Sequence, residues 1–131
     1  MELTIIIPVY NVENHLSRCL DSIFVGNNID GEFEVIAVDD GSTDNSYGIL
    51  QEYAFRYKQL KIYHQENQGS SVARNKALDV ATGKYIMFVD SDDFVEKDSI
   101  NTILQEAIKT DIDILFYDFN IISEDGIKKR A

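Results

Sequence analysis

Apolar residues run along this chain in two alternating rhythms. Unbroken β-favouring runs occur at Leu3 to Val9, Phe33 to Val38, Lys61 to His64, from Tyr85 onward, and at Ile112 to Ile122. Runs of this length predict strands with both faces covered. Between them, apolar positions fall at helical spacing. The sets are Leu16, Cys19, Leu20 and Ile23, then Ile49, Leu50, Tyr53 and Ala54, then Val72, Ala77, Leu78 and Ala81. A fourth set, Ile100, Ile103, Leu104, Ala107 and Ile108, lies within Ser99 to Lys109. Each predicts one amphipathic helix. Pro8 has no N–H and is expected to end the pairing of the first strand. Asn11 is expected to cap the first helix, and Ser42, Thr43 or Asp44 the second. Gly26 to Gly31 reads as a turn and Gln65 to Ser71 as a polar loop. Gly83 is expected to stop the third helix, and Asp125-Gly126 to form a hairpin turn.

The strand–helix alternation predicts an α/β fold: one domain over residues 1–131, with an open, mostly parallel sheet and helices on both faces. In such sheets ligands sit outside the carboxyl ends of the strands, where strand order reverses. Polar clusters fall at those ends: Tyr10-Asn11, Asp39-Asp40 and Asp90 to Asp93, with the loop to Arg74 after the third strand. Acids scattered at random would not gather on one rim.

Composition narrows the class. Hydrophobic residues make up 44% and charged residues 27%, the balance of a water-soluble globular domain. No apolar run is long enough to span a bilayer, and the first residues lack the pattern of a secretory signal. The single cysteine, Cys19, excludes an intrachain disulfide and sits in a helix stripe, so it reads as core. A reducing, cytoplasmic setting is expected, with peripheral membrane association through an acceptor or a further segment left open. The net charge of −11 argues against nucleic acid and anionic lipid as partners. Lys128, Lys129 and Arg130 read as a solvated strand or tail. Oligomeric state is not legible.

The candidate chemistry lies in Tyr85 to Phe94, an apolar run ending in Asp90, Asp92 and Asp93. Acids so close together repel one another, and a cation relieves that cost. Hard oxygen ligands suit Mg²⁺ or Mn²⁺. The competing reading is a solvated turn that caps the next helix. Asp90 and Asp92 are expected on one side of an extended segment at the end of a central strand. Tyr10 can stack on a flat base, or merely cover the sheet edge. Asp40 can accept the imide N–H of a uracil. Arg74, in the first turns of its helix, can reach phosphate oxygens, or simply pair with an acid. Asp39 reads as structural, capping local N–H groups.

Four segments carry a family resemblance. They are Ile5 to Asn11 (Ile-Ile-Ile-Pro-Val-Tyr-Asn), Val38 to Asp44 (Val-Asp-Asp-Gly-Ser-Thr-Asp), Asn67 to Asn75 (Asn-Gln-Gly-Ser-Ser-Val-Ala-Arg-Asn) and Phe88 to Asp93 (Phe-Val-Asp-Ser-Asp-Asp). Together, and in this order, they resemble family 2 glycosyltransferases of the GT-A, Rossmann-like nucleotide-diphospho-sugar-binding fold. The resemblance implies a nucleotide-diphospho-sugar donor, most often a UDP-sugar, a Mg²⁺ or Mn²⁺ ion, inversion at the anomeric carbon, and a glycan or lipid-linked acceptor. It puts Pro8, Tyr10 and Asp40 around the base. It makes Asp90-Ser91-Asp92 the Asp-x-Asp motif, with Asp92 on the metal and Asp90 near the ribose or also on the metal. In this family the catalytic base lies well downstream of that motif. The chain is therefore expected to be the N-terminal, donor-binding portion of a longer enzyme, inactive or nearly so alone. Two alternatives stay open: a non-catalytic metal- or nucleotide-binding regulatory module, and a nucleotidyltransferase, which would normally carry a glycine-rich loop after its first strand.

Overall fold

The computed structural model describes residues 1–29, 32–110, 120–122 and 128–130. The elements run β1 (Leu3–Val9), α1 (Leu16–Phe24), β2 (Phe33–Asp39), α2 (Ser46–Arg56), β3 (Leu60–His64), α3 (Ser70–Val80), β4 (Tyr85–Phe88), α4 (Ser99–Thr110), β5 (Asn120–Ile122) and β6 (Lys128–Arg130). Strands β1 to β4 form one parallel sheet in the order β3-β2-β1-β4. Strand order therefore reverses at β1, between β2 and β4. That is the position where an α/β sheet opens a crevice.

Side-chain alternation splits the core into two layers. Leu3, Ile5, Ile7 and Val9 of β1, with Val35 and Ala37 of β2, pack under α1, α2 and α4. Ile6, Ile36 and Val38 face the other way, against Ala73 and Ala77 of α3. The stripe expected of α1 is fully buried at Leu16, Cys19, Leu20 and Ile23. The stripe expected of α3 is observed in part: Ala77 is buried and Ala81 packs against the same cluster, but Val72 and Leu78 do not face the core. The buried positions are Ala73 and Ala77, while Val72 and Leu78 are about two-fifths exposed. Small residues let this helix lie close over β1 and β2, and the larger ones turn outward.

Three further expectations change. First, among the described residues β4 lies at the end of the sheet order, paired with β1. Met87 and Val89 are buried while Ile86 and Phe88 are exposed, and among the described residues α3 packs chiefly on β1 and β2. Second, Pro8 does not end β1. It stays in register with Val38, and Val9 with Asp39. Ile6 O accepts from Val89 N on the β4 side, so the missing N–H of Pro8 points there too. It stops the ladder with β4 alone. Third, Gly83 is no left-handed helix stop. The chain leaves α3 through an extended Ala81. A Cβ at Gly83 would sit 2.5 Å from Thr4 N, so the glycine lets this loop close against β1.

Strands β5 and β6 pair antiparallel as a separate ribbon, Ile122 with Lys128. The basic residues Lys128–Arg130 thus form a return strand, and the main sheet is not extended by β5. The first part of the expected last strand and the Asp125-Gly126 turn lie outside the described residues.

Candidate active site

The residues after β1, β2 and β4, with the start of α3, enclose a cleft of about 530 Å³. Pro8, Tyr10, Asp40, Arg74, Asp90 and Asp92 all line it, joined by Asn67, Gly69, Ser70 and Ser91. The topology accounts for this convergence. In a parallel sheet every strand delivers its exit loop to the same rim, and the reversal at β1 spreads those loops apart.

Tyr10 is 47% exposed at the mouth of the cleft. Asp40 is buried, and its carboxylate is fully engaged. Oδ1 accepts from Gln65 Nε2 at 2.8 Å and Gln68 N at 2.7 Å. Oδ2 accepts from Gly69 N at 2.9 Å and Asn67 Nδ2 at 3.3 Å. These fill the roughly four acceptor positions a carboxylate offers. Burial pushes the Asp40 carboxyl up, but the bonds from Gln65, Gln68 and Gly69 outweigh it and hold the group below its ordinary range. Asp40 thus staples the loop that opens α3. At Gly41 (φ 75) a Cβ would meet Asn67 N at 2.8 Å, so the same two loops approach too closely for a side chain.

Asp90, Ser91, Asp92 and Asp93 form a tight turn, not an extended segment, because Asp93 N donates to Asp90 O at 3.0 Å. The turn buries Ser91 and brings carboxylate oxygens of Asp90, Asp92 and Asp93 within 4.8 Å of one another, all on exposed residues. Arg74 Nη2 donates to Asp90 Oδ1 at 3.1 Å and also lines the cleft, so it pairs with an acid and faces the cavity at once. Helix α1 holds the turn from beneath. Arg18 Nη2 donates to Asp92 O at 3.1 Å, Ser22 Oγ accepts from Val95 N at 3.1 Å, and the Arg18 guanidinium lies 4.8 Å from the centre of the Phe94 ring. Both arginines bind the turn without neutralising Asp92 or Asp93. Burial, then Asp92 and Asp90, push the Asp93 carboxyl up, against an opposing pull from Arg18. Hard oxygens, close spacing and residual repulsion make this donor set a fit for a divalent cation.

Asp39 does not line the cleft. Its Oδ2 accepts from Ser42 N at 3.4 Å and lies 2.8 Å from His64 Nδ1, which matches a structural role. Its Oδ1 is buried with no partner among the described residues. Cys19 is buried, and burial followed by the charges of Asp93 and Asp92 pushes its thiol up to about 12, so it is inert packing. Sequence reading overlooked Gln65, Asn67 and Gln68. Asn67 and Gln68 lie in a segment that carries the family resemblance, and Gln65 in a polar loop, but neither signal assigns them a partner, because what they bind lies on another strand.

A parallel sheet wound in this order, with helices on both faces and acids along the carboxyl rim, is the architecture of the GT-A glycosyltransferases. The chain belongs to glycosyl transferase family 2, whose profile matches residues 4–130. It is 41% identical over 122 residues to the glycosyltransferase GlyA of Streptococcus pneumoniae, covering 91% of this chain and 17% of GlyA. Among solved structures it resembles S. aureus TarS 1–349 in complex with UDP, with TM-score 0.76, 33% identity, and coverage of 83% of this chain and 32% of that one. It also resembles the mannosyltransferase PcManGT from Pyrobaculum calidifontis in complex with GDP-Man and Mn²⁺, with TM-score 0.69, 28% identity, and coverage of 82% and 31%. The chain thus spans a third or less of these relatives. No helix among the described residues is long and apolar enough to cross a membrane.

Proposed function

We propose that this chain is the donor-binding portion of an inverting, divalent-metal-dependent glycosyltransferase that uses a nucleotide-diphospho-sugar, a UDP-sugar first. One observation carries the reading: a base-sized aromatic, an arginine and two carboxylates of the three-acid cluster, Asp90 and Asp92, converge on one cleft. The complexes of TarS with UDP and UDP-GlcNAc, and of PcManGT with GDP-Man and Mn²⁺, support a nucleotide-sugar and a divalent ion as the ligands of such a cleft.

In this reading Tyr10 stacks on the base and Pro8 forms the floor beside it. An incoming imide N–H takes the place of the longest bond to Asp40, from Asn67 at 3.3 Å. Arg74 and the amino end of α3 meet the diphosphate oxygens. Asp92 holds Mg²⁺ or Mn²⁺, with Asp90 sharing the metal or a ribose hydroxyl. A divalent ion bound there neutralises the charge that develops on the departing nucleoside diphosphate. The catalytic base and the site for a glycan or lipid-linked acceptor come from another part of a longer enzyme, working in the cytoplasm or at its membrane face.

Calorimetric titration of UDP and GDP, with and without Mn²⁺, tests this on the wild-type chain and on Asp92→Ala. Metal-dependent UDP binding that the variant loses supports the reading. Tight GDP binding in place of UDP changes the donor but keeps the class. Nucleotide binding indifferent to both metal and Asp92 refutes the assigned metal site.

A further inference from the structure

The loops leaving β1 and β2 are fastened to each other by hydrogen bonds. Asn11 N donates to Ser42 Oγ at 3.0 Å, Val12 N to Ser46 Oγ at 2.9 Å, and Glu13 N to Asp44 Oδ2 at 3.1 Å. In return, Asn11 Oδ1 accepts from Thr43 N at 2.8 Å, Thr43 Oγ1 at 3.3 Å and Asp44 N at 3.3 Å, while Glu13 Oε2 accepts from Asn45 N at 2.9 Å. Asn11 is therefore no cap for α1, which begins five residues later with no side-chain cap at His15. Its backbone lies in the left-handed region, φ 48, where asparagine is better tolerated than most residues.

This geometry bears on Tyr10. A ring that is 47% exposed is only partly held by packing. Its direction is set by the backbone on either side, and that backbone is constrained twice. Pro8 fixes one φ before it, and the left-handed turn at Asn11, pinned to Thr43 and Asp44, fixes the chain after it. We propose that Asn11 is a positioning residue for base recognition: its side-chain oxygen locks the β2 exit loop to the turn that aims Tyr10 across the cleft. The inference rests on the reading of Tyr10 as the base platform. It assigns a role to the Ser42-Thr43-Asp44 segment, which is not among the residues lining the cleft.

The test compares two ligands of the 131-residue chain in the presence of Mn²⁺: UDP, which carries a base, and inorganic pyrophosphate, which does not. The variants are Asn11→Gly, which keeps the left-handed backbone but removes the acceptor, Asn11→Asp, which keeps both, and Tyr10→Ala. Asn11→Gly is expected to weaken UDP about tenfold, toward the value for Tyr10→Ala, and to leave pyrophosphate affinity unchanged. Asn11→Asp retains UDP affinity close to wild type. Equal loss of both ligands in Asn11→Gly overturns the inference, because Asn11 then only maintains the fold. Wild-type UDP affinity in Asn11→Gly, with a loss in Tyr10→Ala, overturns it while sparing the platform. Wild-type affinity in both variants removes the platform and the inference together.

Discussion

Glu34 and Asp92 are both acids near strand ends, and their surroundings are opposite. Glu34 sits at the amino end of β2 and is 1% exposed. Its carboxylate accepts from Lys61 Nζ, Thr4 Oγ1, Thr82 N and Thr82 Oγ1, all between 2.7 and 2.9 Å. Burial pushes its carboxyl up, but these bonds prevail and bring it down to about 2. Asp92 lies beyond the carboxyl end of β4, exposed and crowded by Asp90 and Asp93. The chain completes the coordination of one acid with its own donors and leaves the other incomplete. An acid satisfied from within ties β1, β2, β3 and the α3–β4 loop together. A cluster left repelling itself at a rim is suited to a ligand that arrives from outside.

The largest expected consequence falls at the satisfied end. Glu34→Ala should cost about 3 kcal/mol of stability, because Thr4 and Thr82 lose their acceptor in a buried setting. Urea unfolding measures this, and a loss below about 1 kcal/mol would mean the network contributes little. Next comes acid sensitivity. The folded Glu34 carboxyl titrates at about 2, below its ordinary 4.5. Its contribution is therefore complete above about pH 4.5 and is lost as pH falls toward 2. Between pH 5 and 3 the wild type should lose about 2 kcal/mol more than Glu34→Gln does, and parallel stability curves would contradict the assignment.

At the unsatisfied end the order of effects reverses. Asp92→Asn should weaken Mn²⁺-dependent UDP binding at least about tenfold, roughly 1.4 kcal/mol, while the urea midpoint stays or rises. A variant that unfolds more easily would show that Asp92 serves the fold. The smallest effect belongs to Asp93. Its carboxyl is pushed up in the folded chain, so the ionised form opposes folding near neutral pH. Solvent screening keeps the gain from Asp93→Asn to about 0.5 kcal/mol, seen as a slightly higher urea midpoint.

Sequence alone made the rim legible and the far end illegible, for one physical reason. Strand and helix periodicity are local, so the buried stripe of α1 and the arrival of Tyr10, Asp40 and Asp90 at strand exits followed from spacing. The partners of Glu34 lie 27 to 48 residues away in the chain, and only the register of the sheet unites them. The same limit hid the Asn11 lock and the engagement of Asp40 by Gln65, Gln68 and Gly69. In α3 spacing made Ala77 and Ala81 legible but put Val72 and Leu78 in the stripe in place of Ala73, although close helix–sheet contact needs the small residue. The acids of Asp90 to Asp93 were correctly grouped, but for the wrong reason: a turn gathers them, and strand alternation does not.

In the proposed site the rim acids are completed by a cation and a nucleotide together. Thermal unfolding of the wild-type chain with UDP alone, Mn²⁺ alone and both at once tests it most directly. The account predicts a rise in Tm with both ligands that exceeds the sum of the separate rises, and its disappearance in Asp92→Asn. A Tm that rises with UDP to the same extent whether or not Mn²⁺ is present would contradict it.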